Sequence, residues 1–308
     1  MLRAGLTVAF PTETVYGLGA DACSPQAVAG IFEAKQRPHF DPLIVHVSDT
    51  AAARALVTEF PPVAEQLADR FWPGPLTLVL PRTSVIPDLV TAGLPGVGLR
   101  VPHHNVAQQL LSAAGCPVAA PSANPFGGIS PTTADHVMDG LDGRIDAVVE
   151  GGSCGVGLES TVVSLMNDRP LLLRPGGLPA ELLESLIGPL DRASSDPAKD
   201  DAAQPAPGML SRHYAPQTKL RLIGADETAE AVADQRCGLL TYGERPLRGN
   251  FERIERLSPV DDLRTCAINF FAAMRSLDAA RLDVIIARRF PDRNLGTALN
   301  DRLRRAAS

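Results

Sequence analysis

The stretch LTVAFPTETVYGLGADA, running from Leu6 to Ala22, sets the architecture. Its apolar start, Leu6–Phe10, reads as a short buried strand. Pro11 ends it. Two threonines, a tyrosine and two glycines follow in Pro11–Gly19, a polar turn with accessible backbone that suits a small polar ligand. A loop closed by local threonine-to-backbone bonds is the competing reading. A helix comes next: Ser24 caps it, Pro25 opens its first turn, and the apolar Val28, Ile31 and Phe32 share one face. Strand, polar turn and helix in that order point to an α/β fold with its site at strand ends.

The same alternation continues outward. Strands are expected at Leu43–Val47, Leu76–Leu80, Val97–Val101, Val118–Ala120, Ala147–Val149, Ser160–Leu165 and Leu171–Leu173. Helices are expected at Pro25–Gln36, Ala51–Val57, Pro62–Phe71, Val106–Ala114, Thr133–Leu141 and Pro179–Ile187. Short strands and irregular helices favour a mixed sheet. The composition then changes. GPLDRASSDPAKDDAAQPAPG, residues 188–208, is rich in Pro, Ala, Asp and Ser and reads as a semi-extended linker. Beyond it the pattern becomes regular: strand Leu220–Ile223, helix 226–235, strand Gly238–Thr241, helix 260–277, strand Val284–Ala287 and helix 296–305. The expected division is a larger domain over 1–187, a linker over 188–216 and a smaller open-sheet, Rossmann-like α/β domain over 217–308.

The bulk properties narrow the function. No apolar run approaches the roughly 18 residues of a membrane span. The N-terminus lacks a signal-peptide layout, so a cytoplasmic location and no membrane partner are expected. The five cysteines are scattered without a C-x-x-C pair, which argues against a zinc site and a disulfide framework. Residues 1–210 carry 12 Lys/Arg against 22 Asp/Glu, and residues 211–308 carry 17 against 13. An acidic first part speaks against a protein that coats nucleic acid uniformly, and it makes that part's few cations worth locating.

Four of those cations fall at element ends beside hydroxyls. Lys35 and Arg37 close a helix before Pro38, with Asp41 just beyond; they either answer the helix dipole or hold phosphates. Arg100 ends an apolar strand and needs an anion, from the protein or from a ligand. Arg174 ends another. His46 lies inside an apolar strand, where a satisfied core histidine is the bland alternative. Ser122 and Asn124, two apart on an extended segment, point the same way. Ser130 opens a helix approach, and Ser160 with Thr161 opens a strand. No serine or cysteine sits in a motif with histidine, no metal-ligand cluster is visible, and the P-loop and G-x-G-x-x-G signatures are missing. The chemistry this suggests is the positioning of phosphates, without a protein nucleophile.

PTETVYGLGADA, KQRP with PLIVHV, WPGPLTLVL, APSAN, GLESTVV and LLRPGG together resemble the threonylcarbamoyl-AMP synthase family with its YrdC-like domain, over most of residues 5–187. The segment around Arg212-His213-Tyr214-Ala215-Pro216 resembles the two-domain branch with a C-terminal α/β domain. The resemblance implies a YrdC-like twisted mixed sheet and an L-threonylcarbamoyladenylate synthase. L-threonine, bicarbonate or CO₂, and ATP would give threonylcarbamoyl-AMP and pyrophosphate, for N6-threonylcarbamoyladenosine in tRNA. It implies Thr12, His46, Arg100, Ser122 and Ser160 on the threonine side, with Arg100 holding the carboxylate. It implies Lys35, Arg37, Asp41, Gly96, Asn124, Ser130, Arg174 and Tyr214 on the nucleotide side, with Gly96 acting through its backbone. Mg²⁺ would arrive with ATP and not on protein side chains. Downstream proteins that transfer the group to tRNA would be partners, and tRNA contact is a further expectation. Tyr214 would bring the linker over the nucleotide as a lid. The alternative is an RNA-binding module of the same fold without synthase activity.

Overall fold

The computed structural model describes residues 1–193, 206, 208 and 213–308. Its first sheet has ten strands: β1 Val8–Phe10, β2 Gly17–Asp21, β3 Ile44–His46, β4 Leu76–Pro81, β5 Gly96–Arg100, β6 Val118–Ala119, β7 Ala147–Val148, β8 Thr161–Ser164, β9 Leu171–Arg174 and β10 Asp191–Arg192. Their order across the sheet is β10-β9-β8-β4-β5-β3-β6-β2-β1-β7. The sheet is mixed: β3 and β5 are parallel, as are β4 and β8, whereas β1 and β2 are antiparallel.

Strand alternation distributes side chains to two cores. Ala9 joins a large cluster with Val28 and Ile31 of the helix α1 (Pro25–Lys35) and Leu67 of α3 (Pro62–Phe71). Its neighbours Val8 and Phe10 face the other way, onto Leu111 of α5 (Asn105–Ala114). The remaining helices here are α2 Thr50–Arg54, α4 Asp88–Thr91, α6 Ala134–Leu141 and α7 Ala180–Ile187. Ser24 Oγ accepts from Ala27 N, so the cap expected for α1 is present.

The second unit has strands β11 Lys219–Ile223, β12 Ala229–Glu230, β13 Cys237–Thr241, β14 Leu247–Arg248, β15 Arg253–Arg256 and β16 Val284–Arg288, with helices α8 Leu263–Ala279 and α9 Leu295–Ala306. A fully parallel sheet in the order β11-β16-β13-β15 forms its centre.

Three expectations change. Residues 17–21, read as turn, form β2: a Cβ on Gly19 would stand 2.8 Å from both the Phe10 ring and Val118 Cγ1, so glycine lets neighbouring strands close in. The helix expected over 226–235 does not form. The buried Arg288 guanidinium takes the carbonyls of Gly224, Ala225 and Glu227, and Ala231 N–H goes to Arg248 O as β12 pairs with β14. A helix would need those carbonyls for its own first turn. Inside the stretch read as linker, Asp191–Arg192 adds an edge strand to the first sheet; residues 194–205, 207 and 209–212 lie outside the described residues.

Candidate active site

A cleft lies at the strand ends; Thr12, Arg37, His46, Arg100, Ser122 and Ser160 are among the residues lining it. It begins at the turn after β1. Thr12 Oγ1 donates to Val15 O at 2.8 Å and sits 2.8 Å from Thr14 Oγ1. The hydroxyls therefore shape the turn and line the cleft at once.

β3 and β5 set His46 directly opposite Arg100. The anion that Arg100 needs is Glu13, whose Oε1 is 2.8 Å from Nη2; Arg100 Nε also donates to Gly74 O. Burial first, and then Arg100, depress His46 to about 3, so its ring is neutral at physiological pH. His46 packs edge-on against Phe10.

α1 delivers Lys35 and Arg37 from below. Lys35 Nζ donates to Ser122 O at 2.5 Å and to Asn124 O, which ties α1 to the segment after β6. Burial, reinforced by neighbouring Arg37, pushes its ammonium well below the usual lysine range. Arg37 curls back on its own loop through Asp41 O, Pro42 O and a 2.9 Å ion pair with Asp41. Asn124 holds the next loop with its amide on Pro125 O and Gly128 O.

The opposite wall comes from β8 and β9. Ser160 Oγ pairs with Thr77 Oγ1 at 2.8 Å, and Arg174 Nη2 donates to Ser160 O at 2.9 Å. Ser130 Oγ donates to Glu159 Oε1 at 2.6 Å. Tyr214, in the left-handed region at φ 61°, closes this side, with His213 packed edge-on against its ring. Burial first, then the cations Arg37, Lys35 and Arg174, push His213 well below the usual histidine range.

Of the expected residues, Thr12, Arg37, His46, Arg100, Ser122, Ser160, Arg174 and Tyr214 line this one cleft. Lys35, Asp41, Asn124 and Ser130 stand behind its lining and hold it. Gly96 lies apart, in a smaller neighbouring cavity with Thr77, Gly98, Val162 and Ala206; Ile44 borders both spaces. Sequence reasoning missed Glu13, Glu159, His213 and Gly208. The two glutamates stood inside quoted motifs, and Arg100's need for an anion was the available signal for Glu13.

A cleft that gathers three arginines, five hydroxyl side chains and two neutral histidines defines a class of enzyme that orients anions for transfer. The comparisons agree. Residues 1–176 match the Sua5/YciO/YrdC family model, described as "Telomere recombination", and residues 178–308 match "Threonylcarbamoyl-AMP synthase, C-terminal domain". The chain belongs to the threonylcarbamoyl-AMP synthase family. It is 41% identical to the threonylcarbamoyl-AMP synthase of Pyrococcus abyssi over 99% of this chain and 92% of that protein. It is 43% identical to the one from Bacillus subtilis, over 100% and 91%. It superposes with a TM-score of 0.90, at 40% identity, on the crystal structure of P. abyssi Sua5 complexed with L-threonine, covering 99% of this chain and 92% of that one.

Proposed function

We propose that this chain condenses L-threonine, bicarbonate and ATP into threonylcarbamoyl-AMP, the activated group for N6-threonylcarbamoyladenosine in tRNA. The observation that carries the proposal is the meeting of Arg37, Arg100 and Arg174 with Ser122 and Ser160 in one cleft. The threonine amine takes up bicarbonate with loss of water and becomes a carbamate. A carbamate oxygen attacks the α-phosphorus of ATP, the bond to the β-phosphate oxygen breaks, and pyrophosphate leaves.

The threonine carbamate and ATP are both anionic, so the protein's task is to offset repulsion and align. Arg100 would take the threonine carboxylate beside neutral His46, while Thr12, Ser122 and Ser160 would address its hydroxyl and carbamate. Arg37 and Arg174 would face the phosphates, with Lys35 just behind them. Asp41, Asn124 and Ser130 would support the nucleotide side, Gly96 would serve it from the adjoining cavity, and Tyr214 would cover it. The cationic lining suits phosphates, and no group of three His, Cys, Asp or Glu among the described residues could hold a metal. Mg²⁺ would enter as the ion carried on ATP, where it would offset phosphate charge. Among the described residues no helix is long and apolar enough to cross a membrane. Proteins that pass the threonylcarbamoyl group to tRNA, in the cytoplasm, would be its partners.

Incubation with ATP, Mg²⁺, L-threonine and bicarbonate should release pyrophosphate only when threonine is present, and EDTA should stop it. Release that ignores threonine would refute the proposal.

A further inference from the structure

A buried arginine of the C-terminal unit stands directly behind the cleft wall. Arg302, on α9, is completely buried. Its Nε donates to Glu159 Oε2 at 3.0 Å. Its Nη1 donates to Pro175 O at 2.7 Å and to Asp301 Oδ2 at 2.9 Å. Its guanidinium carbon lies 5.2 Å from the centre of the Tyr214 ring. The contacts to Glu159, Pro175 and Tyr214 each fall at or beside a candidate substrate-binding residue. Glu159 lines the cleft, precedes Ser160 and accepts from Ser130 with its other oxygen. Pro175 follows Arg174.

The electrostatics give these contacts a direction. Glu159 is a carboxylate facing a space that has to receive phosphates, a carbamate and a carboxylate. Among the described residues, Arg302 is its ion-pair partner. With the guanidinium in place the pair is neutral. Without it, a buried negative charge would stand unpaired against incoming anions, a costly arrangement in a poorly solvated site. Asp301, beside Arg302, is held in turn by Arg305 at 3.1 Å and Arg304 at 3.8 Å, so the network continues into α9.

We infer that Arg302 is a positioning residue for the reaction: it neutralises Glu159 and locks the Ser130, Ser160 and Tyr214 walls, so that the C-terminal unit completes the anion-binding cleft. This rests on the proposed reading of the cleft as an ATP and threonine site.

The test uses the full chain and three variants. Arg302→Met keeps much of the volume and removes the charge; it should raise the KM for ATP about tenfold or more, beyond any fall in kcat. Arg302→Lys keeps the charge without the fork and should lie between Arg302→Met and the wild type. Adding Glu159→Gln to Arg302→Met removes the stranded charge and should recover most of the lost affinity for ATP. The inference is overturned if Arg302→Met leaves the KM for ATP unchanged, or if the folded double variant binds ATP no better than Arg302→Met. Should Arg302→Met fail to fold, the double variant and Arg302→Lys decide: each should fold and bind ATP within about tenfold of the wild type, and weaker binding overturns the inference. ATP binding without threonine, followed by calorimetric titration, separates the two ideas. A wild type that binds ATP yet releases no threonine-dependent pyrophosphate would end the synthase reading and leave the Arg302 comparison intact.

Discussion

Arg100 illustrates how far a single residue can be read. Its apolar flanks demanded an anion, and the sequence left open whether protein or ligand would supply it. The answer, Glu13, lies in a turn 87 positions earlier, and only the sheet brings the two together. His46 was similarly open. It is buried like a core histidine and also lines the cleft, because the end of a central strand serves both roles. The two buried histidines carry a stability consequence. Burial and cations hold His46 at about 3 and His213 well below 6.5, whereas an unfolded histidine titrates near 6.5. The folded protein keeps them neutral, so their contribution is present above 6.5. It is lost as pH falls from 6.5 towards the folded values, because the unfolded chain then binds more protons. His46 should remove about 2 kcal/mol between pH 7 and pH 5, and His213 should add a loss in the same direction. The urea midpoint should therefore fall over that interval, and His213→Asn should shrink the fall. An equal fall in variant and wild type would show that His213 does not titrate this way.

At the scale of elements, hydrophobic periodicity located eight of the ten strands of the first sheet, with shifted ends, because apolar runs show burial while hydrogen bonding sets where pairing stops. β2 escaped because its two glycines look like turn residues, though here they admit neighbouring strands. The helix expected at 226–235 failed because Arg288, 61 positions from Glu227, captures its carbonyls, a competition that no local window reveals. Gly208 is a further case of a small residue chosen by its surroundings. It adopts φ +76°, and a Cβ there would stand 2.6 Å from Tyr214 Oη and 3.1 Å from Arg174 Nη1. Gly208→Ala forces a left-handed alanine, at a cost of about 1 kcal/mol, and presses on both side chains. The KM for ATP should rise several-fold, with a thermal midpoint close to that of the wild type. Unchanged steady-state kinetics would place this segment off the nucleotide's path.

The whole molecule is divided in sequence and continuous in packing. The change of composition at 188–208 and the reversal of charge beyond it suggested two units joined by a linker. In the fold, Val15, Ile129 and Leu158 of the first unit share one apolar cluster with Tyr214, Phe270, Phe271 and Met274. Gly157, at φ +74°, leaves no room for a Cβ against the backbone of Ala267 and Ile268 in α8, so the two units touch main chain to main chain. Arg275 of α8 donates to Ile129 O at 2.5 Å, and Arg302 of α9 bonds Glu159. Separating the units would expose that cluster and strand buried charges, so neither should melt while the other remains folded. Differential scanning calorimetry of the full chain should give one transition whose calorimetric and van't Hoff enthalpies agree. Two resolved transitions would mean that the interface adds little, and the C-terminal unit would then be a neighbour of the cleft and not a wall of it.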